Sequence, residues 1–300
     1  TVSLFLFGFY LLKTLRVMLR IAIQSKGRLY EESMALLEEA GIKIPGGKRT
    51  LLVPARNFPV EVLFLRDDDI PESVASGVAD VGIVGLNEVM EKRCPVGILK
   101  KLGFGKCRLS LAIPQDIDYQ DRNWFSGKKI ATSYPGILSD YLHKNGIVSD
   151  IHVITGSVEI APGIRLADAI FDIVSSGSTL VSNRLKEVET VVESEAVLIG
   201  TDSISPEKRG ILDELLFRFD SVQAADDKKY ILMNVPQKKL NDVLSVLPGI
   251  KSPTVMPLAD KEWCSVHTVL DEKCFWEIIN RLKTAGAEGI LVLDIEKMIL

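Results

Sequence analysis

From Leu19 onward the chain alternates short, β-branched apolar runs with longer segments whose apolar residues recur every three or four positions. That alternation restricts it to α/β architectures built mostly on parallel strands. Leu19–Gln24 (LRIAIQ), Val60–Arg66 (VEVLFLR) and Val81–Gly85 (VGIVG) read as strands, the last of them buried. Leu29, Ser33, Leu36, Leu37 and Ala40 fall on one stripe of a helix that Gly41 stops, and Asp69-Ile70-Pro71-Glu72 opens another that ends near Gly77. Further strands are predicted at Arg108–Ile113, Lys129–Thr132, Ile151–Ile154 and Thr190–Ile199, and helices at Tyr134–Asn145, Leu166–Val174 and Glu207–Phe219. Roughly 200 residues of this pattern exceed one compact core, so two lobes facing a cleft are expected. The polar stretch Pro114–Gly127 is expected near one crossing between them.

The tail has another rhythm. Strands at Lys229–Val235, Pro253–Pro257, Trp263–Val269 and Gly289–Leu293 interleave with helices at Gln237–Leu247 and Glu272–Ala285. The order β-α-β-β-α-β is the ferredoxin-like arrangement.

Several function classes lose their support. The net charge of −4 gives no electrostatic reason to expect nucleic acid or an anionic membrane as partner. Cys94, Cys107, Cys264 and Cys274 form no CxxC pair and meet only three histidines, so neither a zinc site nor a disulfide framework is indicated, and reduced, mostly buried thiols in a cytoplasmic protein are expected. Val2–Leu12 is too short to span a bilayer, and no Lys or Arg precedes it as in a signal peptide. Residues 1–17 are therefore read as an upstream extension outside the fold, with a membrane anchor as the minority reading. Gly41–Lys48 imitates a phosphate-binding loop, but Gly47 occupies the lysine place.

Three segments carry candidate chemistry. Asp168 and Asp172 are four apart on one face of the predicted helix, which then enters Ser175-Ser176-Gly177-Ser178-Thr179. Such a loop offers hydroxyls, and its glycine lets backbone N–H groups converge on phosphate oxygens. Asp172 is placed to hold ribose hydroxyls or to meet the Mg²⁺ of a pyrophosphate. A capped helix followed by a solvated turn explains the same composition. Gln24-Ser25-Lys26-Gly27-Arg28 joins a strand to a helix, where two cations and free N–H groups can meet an anion, or where an ordinary turn suffices. Arg66, with Asp67, Asp68 and Asp69 behind it, follows the carboxyl end of a strand, where open α/β sheets place ligands; helix capping accounts for the three acids equally well.

LRIAIQSKGRL, FLRDDDIPESVASGVADVGIVG, EIAPGIRLADAIFDIVSSGSTL and LPGIKSPTVMPL, in that order, resemble successive signatures of the ATP phosphoribosyltransferases, and the resemblance runs from Leu19 to Leu300. It implies two α/β lobes of periplasmic-binding-protein-like (type II) architecture, residues 18–105 with about 195–225 and residues 106–194, followed by a ferredoxin-like regulatory domain over 226–300. It implies transfer of the phosphoribosyl group of phosphoribosyl pyrophosphate (PRPP) to N1 of the ATP adenine, with Mg²⁺, as the first step of histidine biosynthesis. Under the resemblance Glu159, Asp172, Ser175, Ser176, Gly177, Ser178 and Thr179 bind PRPP. Lys26, Arg28, Arg66 and Asp80 serve ATP and pyrophosphate, with no covalent nucleophile. Asn234, Ile250, Ser252, Thr254 and Gly289 match the segments that hold inhibitory histidine, Asn234 standing where some relatives carry an acidic residue. Histidine and AMP are implied as inhibitors, and dimers or hexamers of the same chain as assemblies. A two-lobed solute-binding protein is the alternative, and a catalytically silent histidine-binding module a third reading.

Overall fold

The computed structural model describes residues 17–46, 50–248 and 253–300. The N-terminal apolar run and the tail residues Ile250 and Ser252 lie outside them. The chain divides into two compact units, the first ending at Glu214 and the second beginning at Leu215.

In the first unit, β1 (Leu19–Gln24), β2 (Leu52–Pro54), β3 (Val60–Leu65), β4 (Val81–Gly85), β5 (Gly97–Lys101) and, much later, β11 (Ala196–Gly200) form a six-stranded sheet in the order β2-β3-β1-β4-β11-β5. Strands β3, β1 and β4 are parallel, and β11 runs antiparallel to both β4 and β5. Ile21, Ala22 and Ile23 are wholly buried, as a parallel strand covered on both faces requires. Helices α1 (Arg28–Glu39), α2 (Ile70–Ala75) and α3 (Leu86–Lys92) belong to this half. Ile70, Val74, Ala79 and Val84 cluster with Val197 and Ile199 of the returning strand.

The chain crosses at 102–106 into a second sheet of β6 (Cys107–Pro114), β7 (Lys129–Thr132), β8 (Asp150–Val153), β9 (Ala169–Val174) and β10 (Leu185–Ser194), ordered β10-β6-β9-β7-β8. Here β8, β7 and β9 are parallel, while β6 lies antiparallel between β9 and β10. Each sheet thus holds a parallel trio, then one antiparallel strand that begins just after a crossing, then an edge strand. That is the type II periplasmic-binding-protein arrangement, repeated in the two halves. Helices α4 (Pro135–Lys144) and α5 (Ser178–Ser182) complete the second half, and α6 (Pro206–Ala225) runs through the boundary of the two units.

Four expectations are corrected. Leu166–Val174 is not a helix, because Ala169–Val174 is strand β9, flanked by β6 and β7. Ala169, Ile170 and Phe171 are buried on both sheet faces, and such a continuous apolar run mimics a helical stripe. Thr190–Ile199 is two strands in different sheets, separated at Glu195, which is the return crossing. Pro114–Gly127 is no crossing; it links β6 to β7 within one sheet. Of the four cysteines, all free, only Cys264 is buried and the other three are partly exposed.

The second unit contains β12 (Lys228–Pro236), α7 (Leu240–Val246), β13 (Thr254–Pro257), β14 (Trp263–Asp271), α8 (Glu272–Ala285) and β15 (Glu288–Asp294). Its sheet is antiparallel in the order β13-β14-β12-β15, the ferredoxin-like topology. Ile231, Met233 and Val235 alternate onto the face that packs with Phe275, Ile278 and Leu282 of α8.

Candidate active site

Parallel strands place their carboxyl ends on one edge of a sheet, where backbone N–H groups and connecting loops are free to meet a ligand. In the six-stranded sheet that edge carries Lys26 and Arg28 after β1, Arg66 after β3, and Asn87 and Glu88 after β4. In the five-stranded sheet it carries Tyr134 after β7, Glu159 after β8, and the loop 175–179 after β9. The two edges meet. The Tyr134 hydroxyl donates to Glu88 Oε1 at 2.8 Å, and Asn87 Nδ2 donates to the same oxygen at 3.1 Å and to the Tyr134 hydroxyl at 3.2 Å. Ser194, just before the return crossing, donates from Oγ to Asn87 Oδ1 at 2.8 Å and accepts from the Asn87 N–H at 3.1 Å. All four residues are buried. Burial pushes the Glu88 carboxyl up, the Tyr134 hydrogen bond opposing it and the nearby Asp67 charge adding to it. Burial, then the Glu88 charge, raises the Tyr134 phenol far above its ordinary range.

A second bridge lies one helical turn further along α3. Glu91 accepts from the N–H groups of Gly136 and Ile137, at 2.8 and 2.9 Å, so a carboxylate of one half caps the first turn of α4 in the other. Arg93 pairs with Asp140 at 2.7 Å beside it.

On the five-stranded side, Asp172 occupies β9, and its neighbour's N–H, that of Ile173, donates to it at 2.8 Å. Burial raises its carboxyl to about 6, the Ile173 hydrogen bond pulling down and the charge of Glu159 pushing up. The strand then gives way to Ser175–Gly177, where Gly177 takes φ +80 and starts α5. Only glycine adopts that conformation at little cost, and it leaves the first N–H groups of the helix without intrahelical partners. Ser176 and Ser178 share a hydroxyl contact at 3.0 Å. Beside the loop, Leu86, Lys101, Lys106, Arg108, Ser175 and Glu195 are among the residues lining a cavity of about 430 Å³ at the two crossings. Arg28 reaches its rim, donating from Nη2 to the Lys106 carbonyl at 3.2 Å.

A sequence profile described as ATP phosphoribosyltransferase matches residues 66–221, and one described as HisG, C-terminal domain, matches residues 225–297. The chain belongs to the ATP phosphoribosyltransferase family. It is 70% identical over 283 residues to the ATP phosphoribosyltransferase of Bacteroides fragilis, covering 94% of this chain and all of that one. It is 71% identical over the same shares to the enzyme of Phocaeicola vulgatus. A chain of an ATP phosphoribosyl transferase (HisG:HisZ) complex from Thermotoga maritima superposes with TM-score 0.59 at 27% identity, covering 67% of this chain and 96% of that one. With such relatives a two-lobed solute-binding protein is not favoured.

Of the residues singled out in the sequence, Asp172, Glu159 and Ser175–Thr179 lie at one edge of the five-stranded sheet, with the Glu159 charge acting on Asp172. Lys26, Arg28 and Arg66 stand along the edge of the other sheet, all three exposed. Asp80 stands apart. It precedes β4 and lies at the amino ends of the parallel strands, where it accepts from the Arg20 N–H at 2.7 Å and pairs with Lys208 at 2.8 Å. In the tail, Asn234 and Gly289 adjoin: a Cβ on Gly289, which has φ +56, would sit 3.3 Å from Asn234 Nδ2. Thr254 is opposite His267, so β14 and two residues of β12 separate it from Asn234. Asn87, Glu88, Tyr134 and Ser194 belong to no sequence motif singled out above. The available signal was that Leu86–Glu88 and Ser133–Tyr134 each follow a predicted strand's carboxyl end.

Proposed function

We infer that the chain transfers the phosphoribosyl group of PRPP to N1 of the ATP adenine, forming phosphoribosyl-ATP and pyrophosphate as the first step of histidine biosynthesis. The observation that carries this reading is the loop at the end of β9: a half-buried carboxylate, Asp172, followed within five residues by Gly177 in a left-handed conformation and by the start of a helix, whose first N–H, that of Ser178, has only a long 3.4 Å contact to the Ser176 hydroxyl. The loop N–H groups and the Ser178 and Thr179 hydroxyls take the 5-phosphate. Asp172 accepts from the ribose hydroxyls, and Glu159 flanks it. Lys26 and Arg28 meet the pyrophosphate or the nucleotide phosphates from the opposite sheet, with Arg66 on the ATP side. Residues 18–105 with about 195–225, and residues 106–194, serve as the two catalytic halves.

The chemistry requires no covalent nucleophile. A lone pair on adenine N1 forms the new bond to the anomeric carbon as the C1–O bond breaks and pyrophosphate departs with that electron pair. The chain's tasks are alignment of two polyanions and stabilisation of the leaving charge. Magnesium fits this site as a companion of the pyrophosphate. Among the described residues no three or more His, Cys, Asp or Glu side chains gather to hold a metal, and magnesium is commonly held by phosphates with one or two carboxylates. Asp172 and Glu159 are the carboxylates beside the loop, and the ion neutralises phosphate charge when bound.

Residues 226–300, within the second unit, are the regulatory domain, binding histidine through Asn234, Gly289 and Thr254 together with Ile250 and Ser252. AMP competes at the nucleotide side, and copies of the chain assemble as dimers and hexamers in the cytoplasm. Among the described residues no helix is long and apolar enough to cross a membrane. Calorimetry with PRPP tests the loop: Thr179→Ala weakens binding about tenfold or more, and equal affinities would remove the loop from the site.

A further inference from the structure

A side chain from the neighbouring strand grips the backbone at the point where β9 ends. Arg108 on β6 lies opposite Val174, the last residue of β9. Its Nε and Nη2 donate to the two carboxylate oxygens of Glu187 on β10, and its remaining arm, Nη1, donates to the Ser175 carbonyl at 3.2 Å. The carboxylate is held in turn. The buried Ser110 hydroxyl donates to Glu187 Oε1 at 2.7 Å, and Thr190 does so at 3.1 Å. A guanidinium is planar, so a two-point grip on one carboxylate fixes the direction in which its third arm points.

We propose that Arg108, clamped by Glu187, is a positioning residue that sets the Ser175–Thr179 loop for the 5-phosphate of PRPP by fixing the peptide between Ser175 and Ser176. The inference rests on reading that loop as the phosphate site. A trans peptide directs its C=O and the following N–H in opposite directions. Holding the Ser175 carbonyl toward Arg108 therefore turns the Ser176 N–H away from it and fixes the backbone two residues before the helix that Gly177 starts. Without the clamp, the peptide is free to rotate and the donors must be gathered again each time phosphate binds. The clamp stays charged across the working pH range, because the Arg108 guanidinium, with Ser110 and Thr190, holds the Glu187 carboxyl down to about 2. Arg108 acts through the loop and is not a catalytic residue.

The test compares the full-length wild type with Arg108→Met, Glu187→Gln, the double variant Arg108→Met/Glu187→Met, and Thr179→Ala. Michaelis constants are read for each substrate, with hydrogen exchange at the amides of residues 176–180. Arg108→Met is expected to raise KM for PRPP about tenfold and leave KM for ATP within about twofold, and Glu187→Gln to raise KM for PRPP about threefold. Exchange at 176–180 quickens in both while the amides of β6 and β9 keep their protection. The double variant keeps the Arg108→Met value, since the donor to Ser175 is still missing. Recovery in the double variant would overturn the proposal by tracing the loss to an unpaired Glu187 charge. A parallel rise in both Michaelis constants would overturn it as general disruption. If Thr179→Ala raises KM for PRPP and Arg108→Met does not, the positioning role fails while the phosphate loop stands. If neither changes it, the loop reading fails and takes this inference with it.

Discussion

Replacing Asp172 with Asn removes a charge whose burial raises its carboxyl from the ordinary 3.8 to about 6. Because the folded chain holds this proton more tightly than the unfolded chain does, ionisation opposes folding. The penalty is absent below pH 3.8, grows between 3.8 and about 6, and is complete above that. At 1.36 kcal/mol per pH unit the interval sets a ceiling of about 3 kcal/mol. Partial contact with solvent reduces this to about 1–2 kcal/mol. Asp172→Asn therefore raises Tm at pH 8 by about 2–8 °C, and by about half as much at pH 5, where the wild-type carboxyl is already mostly protonated. The same change removes the charged acceptor for the ribose hydroxyls and lowers kcat/KM for PRPP by about 10–100-fold. In the wild type, PRPP affinity declines as pH falls through about 6. Melting curves at the two pH values, run beside steady-state kinetics, provide the check. A variant no more stable at pH 8, or equally favoured at pH 5 and 8, would refute the burial argument. Unimpaired use of PRPP would refute the assigned role.

Four further outcomes are expected. Tyr134→Phe leaves the buried Glu88 carboxylate with Asn87 as its remaining side-chain donor and costs about 1–3 kcal/mol; an unchanged denaturation midpoint would mean that the bridge between the two sheet edges is open in solution. Asp80→Ala strips the partner from the Arg20 N–H and from Lys208, so stability drops by about 1–2 kcal/mol while KM for ATP stays put; a large rise in that constant would restore Asp80 to the nucleotide site. Asn234→Asp supplies a charge for an ammonium group and tightens histidine inhibition several-fold. Gly289→Ala weakens it by crowding Asn234 from a backbone at φ +56. Inhibition curves for the two variants decide both.

Much of the architecture was legible because parallel strands buried on both faces leave dense β-branched runs such as VGIVG, and because helix starts and stops are punctuated, as at Pro71 and Gly41. The failures have one physical root. Local periodicity reports burial, not the partner. Ala169–Val174 carries a continuous apolar run that satisfies helical spacing by accident, and only its place between β6 and β7 makes it a strand. One β-rich stretch at 190–199 serves two sheets, a division that a single Glu195 does not announce. The proposed phosphate loop stands out in the sequence because its glycine and hydroxyls are contiguous. The bridge of Asn87, Glu88, Tyr134 and Ser194 was not, since its members are up to 107 residues apart and join only when the crossings are made. Asp80 illustrates the converse: it is next to a strand whose carboxyl end reaches the candidate site, but it lies at the amino end.

The most direct measurement is the absorbance rise on N1-alkylation of adenine when the purified chain is supplied with ATP, PRPP and Mg²⁺. A steady rise that requires both substrates, falls sharply in Thr179→Ala and is suppressed by histidine is the predicted result. No phosphoribosyl-ATP from an intact, folded chain would contradict the account at its centre.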